Sequence, residues 1–314
     1  MEEARIGQAL LTDPADVIYY GGYAPQKDEH AFMAVTQDRA CLFVSPLNSD
    51  AAGAGGVETR FLGKNALPVL SKKLKTGFDE VFASARLYLA LKNAGVKVEP
   101  FAVKIKEPRI VKGPEEIEAI RKSVSVTRKI IGALSPCDRT EKEVANEIKL
   151  RLLAAGAGES YDSIVATGKN SAVVHAVPGN AKILPGALTI IDMGARANFY
   201  CSDMTRTFCP KAGQREKRII EDVKEIQSVL IDSARVGVKT DELEKTYEGL
   251  MKKKHYRVMH SFGHGIGLSV HEPLGEALAA GAVMTIEPGA YLRGLGGCRI
   301  EDIILVKGGK VSVL

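Results

Sequence analysis

Four carboxylates in two pairs, Asp192/Asp203 and Glu287/Glu301, lie in apolar surroundings at spacings that let each pair meet across a hairpin. Asp192 closes the run Leu188-Thr189-Ile190-Ile191, and Asp203 opens the run Met204-Thr205-Arg206-Thr207-Phe208. A turn near Ala197-Asn198 would set positions 192 and 203 opposite one another on one face of an antiparallel pair. A turn centred on Gly294 would do the same for 287 and 301. Carboxylates held face to face repel, and four in one pocket call for cations. His264, between Gly263 and Gly265, adds an imidazole on a segment whose glycines permit close approach. Four acids and one nitrogen donor suit two divalent ions, with Asp203 and Glu301 each bridging both. Such donors accept Mn, Co, Fe or Zn, with Mn or Co favoured.

The runs that carry these residues are Asp192-Met193-Gly194, Ser202 to Phe208, His260-Ser261-Phe262-Gly263-His264-Gly265-Ile266-Gly267-Leu268, Thr285-Ile286-Glu287-Pro288-Gly289 and Arg299-Ile300-Glu301-Asp302. In order and approximate spacing they resemble the pita-bread metallopeptidases. Within these, the chain is similar to the Xaa-Pro dipeptidase (prolidase) and aminopeptidase P branch. The resemblance is strong from about residue 114 onward and weak over residues 1 to 110. It implies an α+β catalytic domain, residues 113–314, in which a curved antiparallel sheet surrounds the metals with helices outside. A smaller α/β domain, residues 1–112, precedes it.

The resemblance also implies a reaction. A hydroxide bridging two ions attacks the carbonyl of an X-Pro bond, and Glu287, itself a metal ligand, shuttles the proton. His271 stabilises the oxyanion, and His175 contacts substrate near the scissile nitrogen. Arg299 borders the substrate pocket and can also neutralise the acids, since it shares a strand face with Glu301 by the period of two. His260 fits either a pocket wall or a core position, and Asp302 points away from the acids. X-Pro dipeptides or short peptides are the expected substrates, and a homodimer is the expected assembly. A non-catalytic binding protein on the same scaffold would have no reason to keep mutually repelling acids.

One departure bears on specificity. Prolidases of this type carry an arginine between the equivalents of His271 and Glu287 that grips a terminal carboxylate. Here Glu272 to Ile286 is rich in Ala, Gly and Leu, with no Arg or Lys. A dipeptidase needs a cation for that carboxylate. Arg299, the N-terminal domain or a partner subunit would then provide it, or the enzyme accepts longer peptides in the manner of aminopeptidase P.

The elements that must position these residues are legible in outline. Lys112-Gly113-Pro114 marks a connection, and Pro114-Glu115-Glu116 opens a helix whose Ile117, Ile120, Val124, Ile131 and Leu134 form one apolar face. Thr140 to Glu143 is a capping box for a second helix to about Ala155. A third runs from Glu216 to Ala234 and a fourth from Thr240 to Lys254. Strands are expected at 163–167, 188–193, 203–208, 282–288 and 299–306, giving helix, helix, hairpin twice over. In the N-terminal part, Val17 to Tyr20, Ala31 to Val35 and Ala40 to Val44 have strand character. Leu67 to Lys75 and Ala83 to Ala94 have helical character, and Asn48 to Gly56 is rich in turn formers.

With 314 residues and a formal charge of +5, the chain has room for two domains and shows no basic patch of the kind that binds nucleic acid. Lys252-Lys253-Lys254 fits a helix end instead. The opening Met-Glu-Glu-Ala-Arg lacks the design of a signal peptide, and no stretch suits a membrane span. Five cysteines, odd in number and without a CxxC pair, fit free thiols in a cytoplasmic protein. Cys201 and Cys298 read as small hydrophobes despite their closeness to the ligands.

Overall fold

The computed structural model describes residues 6–26, 29–48, 57–61 and 70–314. Contacts divide the chain into two compact units, Met1–Pro108 and Arg109–Leu314. The first contains a six-stranded mixed sheet, β1 (Gln8–Leu11), β2 (Phe32–Thr36), β3 (Ala40–Val44), β4 (Glu58–Phe61), β5 (Lys75–Phe78) and β6 (Lys97–Pro100), in the order β4-β3-β2-β1-β5-β6. With it go helices α1 (Pro14–Gly21), α2 (Ala85–Asn93) and α3 (Ala102–Lys106). Successive residues feed separate apolar clusters: Leu11, Met33 and Leu42 pack in one, and Leu10, Ala34 and Phe43 in the other. The period of two thus buries both faces of the sheet.

Two local expectations fail here. Val17 to Tyr20 is helical, inside α1, because Asp13 caps Ala15 N at 3.0 Å, Pro14 occupies the first turn and Gly22 ends the helix at φ 63°. Those end signals outweigh the strand preference of Val and Ile. The helix expected over Leu67 to Lys75 is absent from 70–75, while 67–69 lie outside the described residues. Buried Gln8 takes both main-chain groups of Ser71, accepting its N–H at 2.9 Å and donating to its carbonyl at 2.8 Å. The turn-rich stretch, apart from Asn48, also lies outside the described residues.

The second unit repeats a plan of two helices and a hairpin. Helices α4 (Pro114–Gly132) and α5 (Glu141–Ala154) precede β7 (Gly158–Glu159), β8 (Ile164–Thr167), β9 (Thr189–Met193), β10 (Ala195–Ala197), β11 (Tyr200–Cys201) and β12 (Met204–Phe208). Helices α6 (Gln214–Ser233) and α7 (Thr240–Lys253) precede β13 (Val283–Ile286), β14 (Gly289–Leu292), β15 (Gly296–Arg299), β16 (Asp302–Val306) and β17 (Val311–Val313). The capping box at Thr140 forms as expected, with Thr140 Oγ1 accepting from Glu143 N at 3.2 Å and Glu143 Oε2 accepting from Thr140 N at 2.7 Å. Ile120, Val124 and Ile131 of α4 pack with Val144, Ile148 and Leu152 of α5 against Ile191, Met193 and Met204. Leu243, Tyr247 and Met251 of α7 join Ile226 and Leu230 of α6 against Met284, Ile286 and Ile304. Burying several such side chains contributes roughly 1.5–3 kcal/mol each, so the helices hold both hairpins from outside.

The two hairpins differ in register. In the first, Asn198 and Phe199 form a two-residue turn with φ 48° and 69°, the arrangement that matches strand twist. That turn pairs Thr205 with Asp192 and Met204 with Met193. Asp203 therefore does not lie opposite Asp192, as the spacing suggested, but diagonally across from it on the same face. The position that does face Asp203 is Gly194, where any Cβ would lie 2.0 Å from Ser202 O. In the second hairpin, Gly289 pairs with Arg299 and Ile286 with Asp302, which leaves Glu287 directly across from Glu301. The single strand expected over 299–306 is interrupted there. Glu301 N turns aside to donate to Thr205 O at 3.1 Å, stitching the second hairpin to the first.

Candidate metal and active site

The acids converge because Asp203, Glu287 and Glu301 lie at the breaks in their hairpin ladders, while Asp192 joins them from inside β9. Asp192, Asp203 and Glu301 are buried, with Glu301 only 1% exposed. Tyr161, just ahead of β8, points its hydroxyl at Oδ1 of both Asp192 and Asp203. Nothing in the sequence flagged this tyrosine, because its partners lie 31 and 42 residues away. Thr205 Oγ1 donates to Glu301 Oε2 at 2.7 Å, while Glu301 Oε1 is buried without a hydrogen-bond partner among the described residues.

His264 arrives on a segment paired with β13. Thr285 N donates to His264 O at 2.8 Å, Glu287 N to Phe262 O at 2.9 Å, and His264 N to Thr285 Oγ1 at 3.1 Å. Gly263 is required by contact rather than by conformation, since a Cβ would lie 2.0 Å from Thr285 O. The His264 Nδ1 faces Gly265 O at 3.0 Å, which assigns its proton to that nitrogen. Its Nε2 is thereby left with a lone pair aimed at the acids, 3.6 Å from Asp203 Oδ2 and 3.4 Å from Glu287 Oε1. Burial pushes the His264 imidazole down to about 4.

Burial and mutual repulsion raise Asp203, Glu287 and Glu301. Asp203 and Glu301 are held well above the ordinary carboxylate range by burial first and then by the charges around them. Burial also lifts Glu287 to about 7, opposed by Arg299 and reinforced by Asp192. A buried acid cluster under this strain, with an orphaned carboxylate oxygen, calls for positive charge at its centre. Donor atoms of Asp203, His264 and Glu301 lie within 4.8 Å of one another. The residues present therefore fit divalent cations.

Arg299 is 2% exposed and fully engaged. Its Nη2 donates to Asp192 Oδ2 at 2.5 Å, its Nη1 to Tyr291 Oη at 2.6 Å and its Nε to Thr205 Oγ1 at 3.2 Å. Those bonds suit a residue that orients Asp192 better than one that grips an incoming carboxylate. Asp302 faces away, accepting from Arg206 at 2.6 Å and from Gln227 at 3.0 Å. Cys201 and Cys298 are fully buried thiols, pushed by burial up to about 11 and about 12, as small apolar fillers would be.

The acids form the floor of a cavity of about 730 Å³. His175, His260 and His271 stand in its wall, with Val174, Val177 and Pro178 nearby. The His271 ring lies 4.2 Å from that of His264, and burial lowers its pKa. His260 Nε2 meets Tyr291 Oη at 2.8 Å and its Nδ1 meets Ser261 O at 2.9 Å, making it a wall residue fixed by hydrogen bonds. Of the nine side chains singled out from sequence, all nine line this one space.

Two buried carboxylates outside the cluster hold its loops, and neither was anticipated. Glu141, 0% exposed at the start of α5, accepts from Thr167 N at 2.7 Å, Gly179 N at 2.8 Å and Asn170 Nδ2 at 3.1 Å. It thus closes the ends of the loop that carries His175. Glu272, beside His271, is bonded by Arg109 Nη2 at 2.5 Å and Lys112 Nζ at 3.0 Å, both buried. Its main chain pairs with Gly265, tying the His271 segment to the His264 segment. The sequence held only a faint sign of these roles: acids beside motif residues.

An oxygen-rich donor set with one imidazole, sunk at the base of an open cavity, is the arrangement of a metal-dependent hydrolase. The sequence profile of metallopeptidase family M24 matches residues 117–308, and the chain belongs to that family. Among curated relatives it is similar to the Xaa-Pro dipeptidase of Pyrococcus furiosus, 32% identical over 98% of this chain and 92% of the relative. It is likewise 30% identical to the Xaa-Pro dipeptidase of Pyrococcus horikoshii, over the same shares. Among solved structures, the prolidase from P. furiosus superposes with a TM-score of 0.88 at 29% identity, covering 100% of this chain and 97% of that one. The X-Pro aminopeptidase from Thermotoga maritima does so with a TM-score of 0.85 at 26% identity, covering 98% and 95%. The fold is the pita-bread fold of those neighbours, an α+β arrangement.

Proposed function

We propose that the protein is a dinuclear metal-dependent exopeptidase that hydrolyses X-Pro bonds, with Xaa-Pro dipeptides as its preferred substrates. Asp192, Asp203, His264, Glu287 and Glu301 would hold the two ions. Once bound, divalent ions supply an acidified water and a Lewis acid for the scissile carbonyl. The observation that carries the reading is the shared cavity: the four crowded acids and the three wall histidines face one space large enough for a dipeptide.

Within that space the chain's own groups divide the work. Glu287, which faces the cavity beside His264, is placed to accept a proton from water and return it to the departing nitrogen. His271 lies beside His264 and is placed to donate to the oxygen of the carbonyl as it becomes tetrahedral. His175, on the loop closed by Glu141, faces the same space and would contact the peptide on the leaving side. Arg299 and Tyr161 orient Asp192 through its two different oxygens, and His260, held by Tyr291, stands in the wall.

Cleavage of longer peptides is the second reading, favoured by the arginine-free stretch from Glu272 to Ile286 and by the likeness to an X-Pro aminopeptidase. Manganese or cobalt, a homodimer and a cytoplasmic location complete the proposal. The oxygen-rich donors support the metals, and the unpaired cysteines support a reducing compartment. No helix among the described residues is long and apolar enough to cross a membrane. The deciding assay compares Ala-Pro, Gly-Pro-Ala and Ala-Ala on one preparation of known metal content. Cleavage of Ala-Pro alone is expected. Gly-Pro-Ala as the better substrate selects the aminopeptidase reading, and efficient cleavage of Ala-Ala with both proline peptides untouched overturns both. In the Asp203→Asn variant, activity and bound metal should fall together.

A further inference from the structure

We propose that Lys142, in the first turn of α5, receives the terminal carboxylate of the substrate and makes the enzyme prefer dipeptides. The inference rests on the X-Pro reading and supplies the cation that the stretch between His271 and Glu287 lacks. The cavity runs from the acid floor past His175 to α5, where Lys142, Asn146 and Lys149 border it. Among the described residues, three fixed cations line it: Arg299, Lys149 and Lys142. Arg299 is buried and bonded to Asp192, Tyr291 and Thr205. Lys149 is paired with Glu159 at 3.0 Å. Lys142 is exposed and makes no ion pair among the described residues, so its charge alone is uncommitted.

The lining fits the substrate. Beside His175 it is Val174, Ala176, Val177 and Pro178, apolar side chains that suit a pyrrolidine ring. This segment and the lysine also keep a fixed relation. Lys142 N donates to Gly179 O at 3.0 Å, and the neighbouring Glu141 carboxylate accepts from Gly179 N at 2.8 Å. The base of Lys142 is thus stapled to the end of the His175 loop, four residues from that histidine. With the scissile carbonyl over the acids and the proline ring on those apolar side chains, a dipeptide ends in its carboxylate on the α5 side. A longer peptide places a neutral amide there, which an ammonium does not reward.

The test uses the full-length, metal-loaded protein and its Lys142→Met and Lys142→Glu variants, with Lys149→Met as a control. Substrates are Ala-Pro and Ala-Pro amide, which differ only in the terminal charge. Loss of one charge-assisted hydrogen bond should raise KM for Ala-Pro about tenfold in Lys142→Met, with kcat little changed. Lys142→Glu should lose more, and the amide should be cleaved within about twofold of wild type by both variants. Lys149→Met should leave the ratio between the two substrates unchanged. An equal loss on acid and amide, or no loss on either, overturns the assignment of Lys142. Wild type that cleaves neither substrate overturns the X-Pro reading, and the lysine's role with it.

Discussion

Replacing Glu141 by Gln should loosen the His175 loop without changing the shape of the side chain. In the native protein, Oε1 accepts from Thr167 N at 2.7 Å and Oε2 from Gly179 N at 2.8 Å, with Asn170 Nδ2 within 3.2 Å of both oxygens. The amide keeps one acceptor and turns an NH2 group toward a main-chain N–H. One of those two amides, buried at Thr167 and half-buried at Gly179, is then left without a partner, which costs about 1–3 kcal/mol. The bonds that remain lose their charge assistance, removing roughly another 1 kcal/mol. The expected destabilisation is therefore about 2–4 kcal/mol. Urea unfolding measures that loss, and amide hydrogen exchange at Thr167 and Gly179 reports where it arises. Because His175 sits on the segment between those anchors, kcat/KM for Ala-Pro should fall about tenfold, the effect of a substrate contact misplaced by loop motion. Unchanged protection at both amides, with stability within about 0.5 kcal/mol of wild type, would refute the clamp.

Three further outcomes follow from the site. His271→Ala should lower kcat by about 10² to 10³ while changing KM little, because its contact strengthens as the oxyanion forms; normal turnover at normal metal content would remove His271 from the reaction. Arg299→Lys should depress cleavage of dipeptides and tripeptides alike, by about tenfold or more, since lysine holds one of three partners at a time; a selective loss of dipeptides would instead make Arg299 the carboxylate clamp. The metal-free protein should become less stable as pH rises from about 4.5 to about 7. Folded Glu287 keeps a proton to about 7 that the unfolded chain releases near 4.5, so the native state binds more protons through that window and is weakened as they leave, by on the order of 3 kcal/mol. Divalent metal, which takes the deprotonated acid, should abolish the decline; a melting temperature of the chelated protein that rises across the same window would contradict the burial of Glu287.

How far the sequence reached can be read from particular residues. The helices from Pro114, Thr140, Glu216 and Thr240 were legible because caps, prolines and apolar faces are local signals. The acids and His264 stood out because ionisable groups set in apolar or glycine-bounded runs need a chemical reason to be there, whereas His175 and His271 were placed by the resemblance to the prolidase branch. Glu287 and Glu301 could even be matched in register, since their hairpin is regular on both sides of the break. Other features depended on partners far along the chain. Whether Asp203 faces Asp192 squarely or diagonally was set by the two-residue turn at Asn198 and Phe199. The commitment of Arg299 to Asp192 and Tyr291 spans 107 and 8 residues, and only folding shows that this cation is already taken. Tyr161, Glu141, Glu272 and Lys142 carry no motif of their own; each acquires its place from segments that packing brings together. Chemistry is written in residue types and short spacings, whereas the availability of a charge or the anchoring of a loop depends on which distant groups fill the space beside it.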